Sequence, residues 1–480
     1  MMLTPFQIDP QELASVVPDC YAAFRPVVAD GLTFFLTHLS PARLAEVFRA
    51  QAELAADASL ERRLVLFLHA CPALHKIGQV LARDRNLDPE LRRHLQELES
   101  LEPHTPPNQW RPILARELAA AEPYRVEVTD GALAEGSVAV VVPLTWSDPT
   151  DGADAPRRHA VAKVLKPGGA ERLAEDLDIL GRMADALDER WAAYGLPPLN
   201  YRATLNDVAE LLVHEVCLCE EQEHLCLVGR QFAGQSDVQV PQLLPFSTER
   251  MTVMERVYGL KVTDPRAVRP WRRPGLFLSA ARALLSRVLF SRDESVLFHG
   301  DPHAGNLLAT DDGRLAILDW SLAGRLTADD RVQMSQILVG GLALDAARVG
   351  AAVAGLARDG TCESLIRRHV EAALAGLRWY RPPGPGWALA LLDDLARAGV
   401  RFPPRLLLFR KAYLTVEGVL ADVFPGNSLE GLLTAEALAQ LAWEWPVRWL
   451  KPLDSCDYGT HVSSADLLHL GLRLTWPACL

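Results

Sequence analysis

The spacing of hydrophobic positions changes several times along this chain, and the changes divide it into elements. Up to about residue 122, apolar residues recur at helical intervals between short polar breaks. Leu74, Ile77 and Leu81 stand at i, i+3 and i+7 and lay one apolar stripe along a helix opened by Pro72, a residue suited to a first turn. From about Arg125 the period shortens. Ser137–Val142 is a β-branched run and Arg158–Leu165 alternates, so Val161, Lys163 and Leu165 share one strand face. Leu205, Val208, Leu211 and Leu212 restore the helical spacing, and the helix they predict runs on through the stretch from His214 to Leu225. Val240 to Asp264 reads as strand, turn, strand and a glycine break. Leu307–Thr310 and Arg314–Leu318 read as a hairpin, and most of 328–442 as helix starting at a Thr327-Ala-Asp-Asp330 capping box. The fold class is α+β.

Several polar residues sit where this pattern does not require them. Asp312-Gly313 is the dipeptide favoured in a two-residue type I′ turn, and that turn sets Asn306 opposite Asp319 with Cβ atoms ~5 Å apart. A carboxylate and an amide side by side form an oxygen-only donor pair suited to Mg²⁺ together with phosphate. Asp301 stands five positions before Asn306, the D-x-x-x-x-N spacing of a kinase catalytic loop, in which the Asp accepts a hydroxyl proton. Lys163, flanked by apolar neighbours on its strand face, is costly there without a partner. On the helix downstream Glu215 and Glu221 fall about 120° apart around the axis, so one cation cannot serve both. The strand ending near Glu255 and Val257 passes into a loop, and their backbone groups are placed for an adenine edge.

The segments HGDPHAGNLL and LAILDWSLAGRL, from His299 and Leu315, resemble the UbiB/AarF family of atypical kinases and, more loosely, the aminoglycoside and choline phosphotransferases. Lys76-Ile-Gly-Gln79 resembles the K-x-G-Q element of the UbiB group, which the phosphotransferases lack. The resemblance implies a two-lobed protein-kinase-like fold with a helical N-terminal extension packed over the cleft and a mostly helical C-lobe. Its implied boundaries are 1–124 for the extension, 125–258 for the N-lobe, 259–428 for the C-lobe and 429–480 for a tail. It also implies ATP and Mg²⁺ as cofactors. Lys163 would then pair with Glu221 at the phosphates, Asn306 and Asp319 would hold metal, and Asp301 would act as base. Lys76 and Gln79, with Glu215 facing Lys76, would restrict the cleft as a lid. Where the family has an alanine-rich loop over the phosphates, this chain has Gly131 to Ser137, so Gly136 and Ser137 are the expected contacts. Ser137 stands where a P-loop needs lysine, which excludes that motif, and Glu135 is expected to repel phosphate. Cys217 replaces the Asp of the family's E-x-D, and Ser321 the Gly of D-F-G.

Composition narrows the classes. The chain has 480 residues, 49% hydrophobic and 23% charged, which suffices for two packed units. A net charge of −12 argues against a nucleic-acid partner. Eight cysteines and no signal-like N-terminus point to reduced thiols in a cytoplasmic setting, and no apolar run is long enough to span a membrane. His214, Cys217, Cys219, His224 and Cys226 do not make a zinc site, because Cys217 and Cys219 project about 200° apart on a helix. Trp443, Trp445 and Trp449 mark a tail that is expected to pack on its own domain, the alternative being peripheral contact with a membrane. The function read here is a MgATP-binding atypical kinase or ATPase in ubiquinone or other isoprenoid-lipid metabolism. The alternatives are a small-molecule phosphotransferase and a non-catalytic pseudokinase scaffold. Neither the phosphate acceptor nor any protein partner is legible in the sequence.

Overall fold

The structure is a computed structural model that describes residues 10–475 except 18, 56, 82–91, 96–104, 130, 137, 151–155, 196–201, 203–204, 206–208, 210–211, 214–215, 359–362 and 378–381. The chain is mixed α/β and falls into two compact units, Met1–Cys226 with Gln242–Arg256, and Leu227–Pro241 with Val257–Leu480.

The first unit is built on an antiparallel sheet. Strands β1 (Glu127–Val128), β2 (Ala134–Glu135), β3 (Ala139–Trp146), β4 (Arg158–Leu165) and β6 (Met251–Glu255) take the order β1-β3-β4-β6, with β2 also on β3. Alternation along β4 buries Ala160, Ala162 and Val164 against Val140, Val142, Leu144 and Val253, where Trp110 and Leu114 of the helix Pro107–Glu117 close the core. Strand β3 begins at Ala139 and runs to Trp146, later than the β-branched run predicts, and pairs Val140 with Glu135 of β2. A second core joins the N-terminal helices to the long helix Gly169–Arg190. At its centre the buried carboxylate of Asp176 meets Arg43 and accepts the Ala73 N–H at 3.1 Å, in the first turn of the helix Pro72–Leu81. An anion at a helix N-terminus satisfies an otherwise orphaned donor.

The helix expected to run unbroken to Leu225 is interrupted: Leu205, Ala209, Leu212 and Val213 are helical, and after the break a helix runs from Leu218 to Gln231. Val216 and Cys217 lie outside it, and the Cys217 carbonyl accepts the N–H groups of Glu220 and Glu221. Two glutamates in a first turn favour a start at that point. The 120° separation expected of Glu215 and Glu221 needs a continuous helix, and the chain is not helical at Val216 and Cys217.

In the second unit, strands β5 (Val238–Gln239), β7 (Gly259–Lys261), β9 (Leu307–Thr310) and β10 (Leu315–Ile317) form a sheet in the order β5-β10-β9-β7. Strands β8 (Ser295–His299) and β11 (Ala323–Thr327) form a separate pair. The β9–β10 hairpin departs from the expected register. Its loop holds three residues, Asp311, Asp312 and Gly313, so Ala309 faces Leu315 and Leu307 faces Ile317. Gly313 takes φ +89°, and Thr310 Oγ1 accepts the Arg314 N–H at 2.8 Å and donates to Asp312. These side-chain bonds favour the third loop residue over a two-residue turn. The slip of one residue sets Asn306 against Leu318, whose N–H donates to the Asn306 carbonyl at 2.8 Å. Asp319 lies one position beyond, at φ +52°.

The capping box at Thr327 and Asp330 is formed and opens the helix Ala328–Leu342. The helix Pro404–Val423 buries Leu406, Phe409, Tyr413, Val416 and Leu420, with Phe409 edge-on to Phe298 of β8 at 5.2 Å. The tail is inverted relative to expectation. On the helix Leu429–Arg448, Glu444 and Arg448 are buried and bonded to Thr460, whereas Trp443 and Trp449 are 82% and 78% exposed. The charged pair takes the inner face because Thr460 and the Val462 carbonyl satisfy it there. Among the described residues no helix is long and apolar enough to cross a membrane.

Candidate functional site

The candidate residues of the first unit gather on β4, on the helix Leu218–Gln231 and at the β2–β3 hairpin. Lys163 stands on the central strand between Val141 and Thr252. Its ammonium lies 2.9 Å from Glu221 Oε1, and the two side chains are 14% and 1% exposed. Gln222, the next residue, donates from Nε2 to the Thr248 carbonyl at 2.8 Å and to Thr252 Oγ1 at 3.2 Å. That fastens the helix to β6 and fixes the direction from which Glu221 arrives.

The β2–β3 hairpin carries Glu135 and Gly136 near its tip. The Gly136 N–H donates to the Ala139 carbonyl, and the Val138 carbonyl accepts the Lys166 N–H, both at 2.8 Å. Glu135 Oε1 is 2.5 Å from Lys166 Nζ, and its carboxylate also accepts the Thr105 N–H at 2.8 Å and the Thr105 hydroxyl at 2.7 Å. Burial alone would raise this carboxyl. The Lys166 and Thr105 donors outweigh it and bring the carboxyl down to about 2, while burial draws Lys166 below its usual value against the pull of Glu135. The repulsion expected of Glu135 is thus offset on the spot, by two residues that the motif reading passed over. Lys166 was visible as the lysine of Lys-Pro-Gly after β4, whereas nothing in the sequence tied Thr105 to this hairpin.

The helix Pro72–Leu81 turns Leu74 and Ile77 into the core and leaves Lys76 half-buried; Gln79 belongs to the same helix. Ser137 and Glu215 lie outside the described residues, and the expected facing of Lys76 and Glu215 lies outside them too. At the end of β6 the Glu255 N–H is committed to the Gln242 carbonyl at 2.9 Å. Val257 is half-buried in the irregular stretch before β7.

In the second unit the site is organised by His299, at the end of β8. Its Nδ1 accepts the Asp301 N–H at 3.1 Å and its Nε2 faces the Leu318 carbonyl at 2.9 Å, which makes Nε2 the protonated nitrogen of a neutral ring. Complete burial depresses its proton affinity, in keeping with that tautomer. One imidazole therefore ties the Asp301 loop to the end of β10, and Trp320 packs on it at 4.8 Å. Asn306 donates from Nδ2 to the Asp301 carbonyl at 3.1 Å, so its amide oxygen is the atom turned to other partners. Asp319 Oδ1 accepts the Ser321 hydroxyl at 2.7 Å. Lys411, from the helix Pro404–Val423, places Nζ 3.2 Å from Asp301 Oδ1. Sequence reasoning assigned no role to Lys411, which lies 110 positions from its partner and matches no short motif.

Among the described residues no group of three or more His, Cys, Asp and Glu side chains could hold a metal. One carboxylate and one amide oxygen fit Mg²⁺, which keeps waters and substrate phosphates in most of its positions, better than a metal that needs a full protein cage.

Residues 153–353 match the family described as the ABC1 atypical kinase-like domain. An uncharacterized protein of Mycobacterium tuberculosis is 29% identical over 283 residues, 56% of this chain and 56% of its own length. The chain thus spans little more than half of that relative. The probable protein kinase UbiB of Xanthomonas campestris is 27% identical over 407 residues, 80% of this chain and 70% of that protein. The solved complex of Rv3197 with erythromycin, also from Mycobacterium tuberculosis, aligns with a TM-score of 0.46 at 18% identity, covering 73% of this chain and 86% of that one. Over residues 153–353 the chain is thus similar to the ABC1 atypical kinase-like family, and over most of its length to UbiB kinases, the group that its motifs resemble.

Proposed function

We propose that this chain binds MgATP and transfers or hydrolyses its γ-phosphate, as an atypical kinase or ATPase on a two-lobed protein-kinase-like fold. The observation that carries the reading is the 2.9 Å contact of Lys163 with Glu221. A lysine on the middle strand of a sheet, held by a buried glutamate from a helix, is the arrangement that presents an ammonium to the α/β-phosphates. Backbone groups of Glu255 and Val257 would meet the adenine, and Gly136 and Ser137 the phosphates. Asn306 and Asp319 would hold Mg²⁺, which when bound neutralises charge on the β- and γ-phosphates. Asp301 takes the proton of the attacking hydroxyl or water. The new bond joins that oxygen to the γ-phosphorus, the bond to the bridging oxygen breaks, and its electron pair leaves with ADP.

Lys76 and Gln79, with Glu215, would act as a lid that slows turnover and limits acceptors. On the acceptor side the reading is an isoprenoid-lipid substrate or pathway, with ubiquinone metabolism as the example that the family resemblance implies. The test is equilibrium binding of ATP with and without Mg²⁺, followed by phosphate release. Magnesium-dependent binding that is lost in Asp319→Asn, with the fold intact, is the expected result. Unchanged affinity in that variant would remove the metal assignment.

A further inference from the structure

Asp301 is only 6% exposed, and a carboxylate so far from water needs compensation. In its own loop, residues 302–305 are Pro, His, Ala and Gly, and His303 Nδ1 accepts the Gly305 N–H at 2.9 Å. Lys411, on the helix Pro404–Val423, brings a cation to 3.2 Å from Asp301 Oδ1. That helix is fixed along its length. Arg405 holds Asp330 through two bonds of 2.7 and 3.0 Å, and Arg410 holds Asp393 at 2.9 Å. Phe409 packs on Phe298 of β8 at 5.2 Å. Leu408 lies so near Gly300 that a Cβ there would meet its methyl at 3.1 Å. Packing therefore determines where Lys411 stands relative to Asp301, and an exposed flexible lysine would not be set this way.

We propose that Lys411 is a positioning residue for phosphoryl transfer: it holds the Asp301 carboxylate in the orientation that receives the proton and offsets its charge as the anionic phosphoryl group approaches. This rests on the kinase reading above. Two like charges a few ångströms apart with little water between them repel strongly, so a carboxylate beside a phosphate serves as base only when a cation shares the site. Asp301 supplies the proton acceptor and Lys411 the conditions under which it can act.

The experiment compares Lys411→Met, Lys411→Arg, Asp301→Asn and the Lys411→Met/Asp301→Asn double variant for ATP affinity, kcat and KM. Lys411→Met should keep nucleotide affinity and KM within about threefold of wild type while kcat falls about 10- to 100-fold, the range of a displaced acid–base group. Lys411→Arg should recover kcat to within about fivefold. In the Asp301→Asn background the Met substitution should cost nothing further, because Lys411 acts through Asp301. Wild-type kcat in a folded Lys411→Met protein overturns the proposal, as does a fully additive loss in the double variant. If Lys411→Met does not fold, Lys411→Arg decides: a kcat as low as that of Asp301→Asn also overturns it. A wild-type chain that binds no nucleotide, or releases no phosphate, ends the kinase reading itself, and that outcome is distinct from a failure confined to Lys411.

Discussion

Ser321 reaches Asp319 twice: its hydroxyl donates to Oδ1 at 2.7 Å and its backbone N–H approaches the same oxygen at 3.3 Å. Ser321 stands where the resembled family has the glycine of D-F-G, a residue open to positive φ. The residue that adopts positive φ is Asp319 itself, at +52°, and Ser321 restricts it by hydrogen bonding. A carboxylate fixed in one orientation loses less freedom on binding a cation. Ser321→Ala should therefore weaken Mg²⁺-dependent ATP binding about three- to tenfold, with little change in metal-free binding. Titrating Mg²⁺ at constant ATP measures this, and tighter metal binding in the variant would show that the hydroxyl competes with the cation.

The clamp of Glu135 by Lys166 and Thr105 predicts a specific pH dependence. The folded carboxyl is held at about 2, below its ordinary 4.5. A depressed acid contributes stability that is complete above the unfolded value and is lost as pH falls toward the folded one. Glu135→Gln should destabilise the first unit by on the order of 2 kcal/mol at neutral pH, since the partly buried Lys166 loses its counter-charge. The difference between variant and wild type should narrow as pH falls from about 4.5 toward 2. A difference that stays constant over that interval would mean that shape rather than charge holds the hairpin.

His461 predicts a second, separate titration. It is buried at φ +54°, and its Nε2 accepts from Arg331 Nε at 3.3 Å, which requires that nitrogen to be unprotonated. Burial, together with the Arg331 charge, brings the imidazole down to about 4. The linkage has the same sign as for Glu135: stability is complete above about 6.5 and falls as pH drops toward 4. The loss should be about 2 kcal/mol by pH 5. His461→Asn keeps a residue that tolerates positive φ and removes the titration. Denaturant midpoints at pH 7 and pH 5 should diverge in wild type and nearly coincide in the variant.

Local pattern made much of the fold and half of the candidate site readable. The alternation of β4 put Lys163 on a face between apolar neighbours, and the capping box at Thr327 marked a helix start that the structure contains. The misses have physical causes. The hairpin register turned on whether the Thr310 and Arg314 side chains would favour a third loop residue, a competition of local hydrogen bonds that the Asp-Gly signal does not rank. The expected helix breaks at Cys217 because two glutamates favour a start there, a preference that apolar spacing does not register. Trp443 and Trp449 were expected to pack inward, but the inner face is taken by Glu444 and Arg448, whose partners at Thr460 and Val462 follow in the chain and are located only by the fold. Lys411 was out of reach for the same reason, since its partnership with Asp301 is made by tertiary packing alone.

Lys163 and Glu221 allow the structural and functional roles of one ion pair to be separated. Lys163→Met removes the cation facing a glutamate that is 1% exposed, and the loss of one partner of such a pair costs about 3 kcal/mol. A loss of nucleotide binding in that variant could then reflect instability alone. Lys163→Met/Glu221→Leu removes both charges and replaces them with apolar groups of similar volume, a change that is often neutral for stability. The double variant should regain most of the thermal stability lost in the single one. Its ATP affinity should stay at least about tenfold below wild type, because the missing ammonium is the group that meets phosphate. Calorimetric melting and ATP titration on the same three proteins measure both quantities. If affinity returned together with stability, the pair would be a structural brace, and the kinase reading would lose the observation that supports it most.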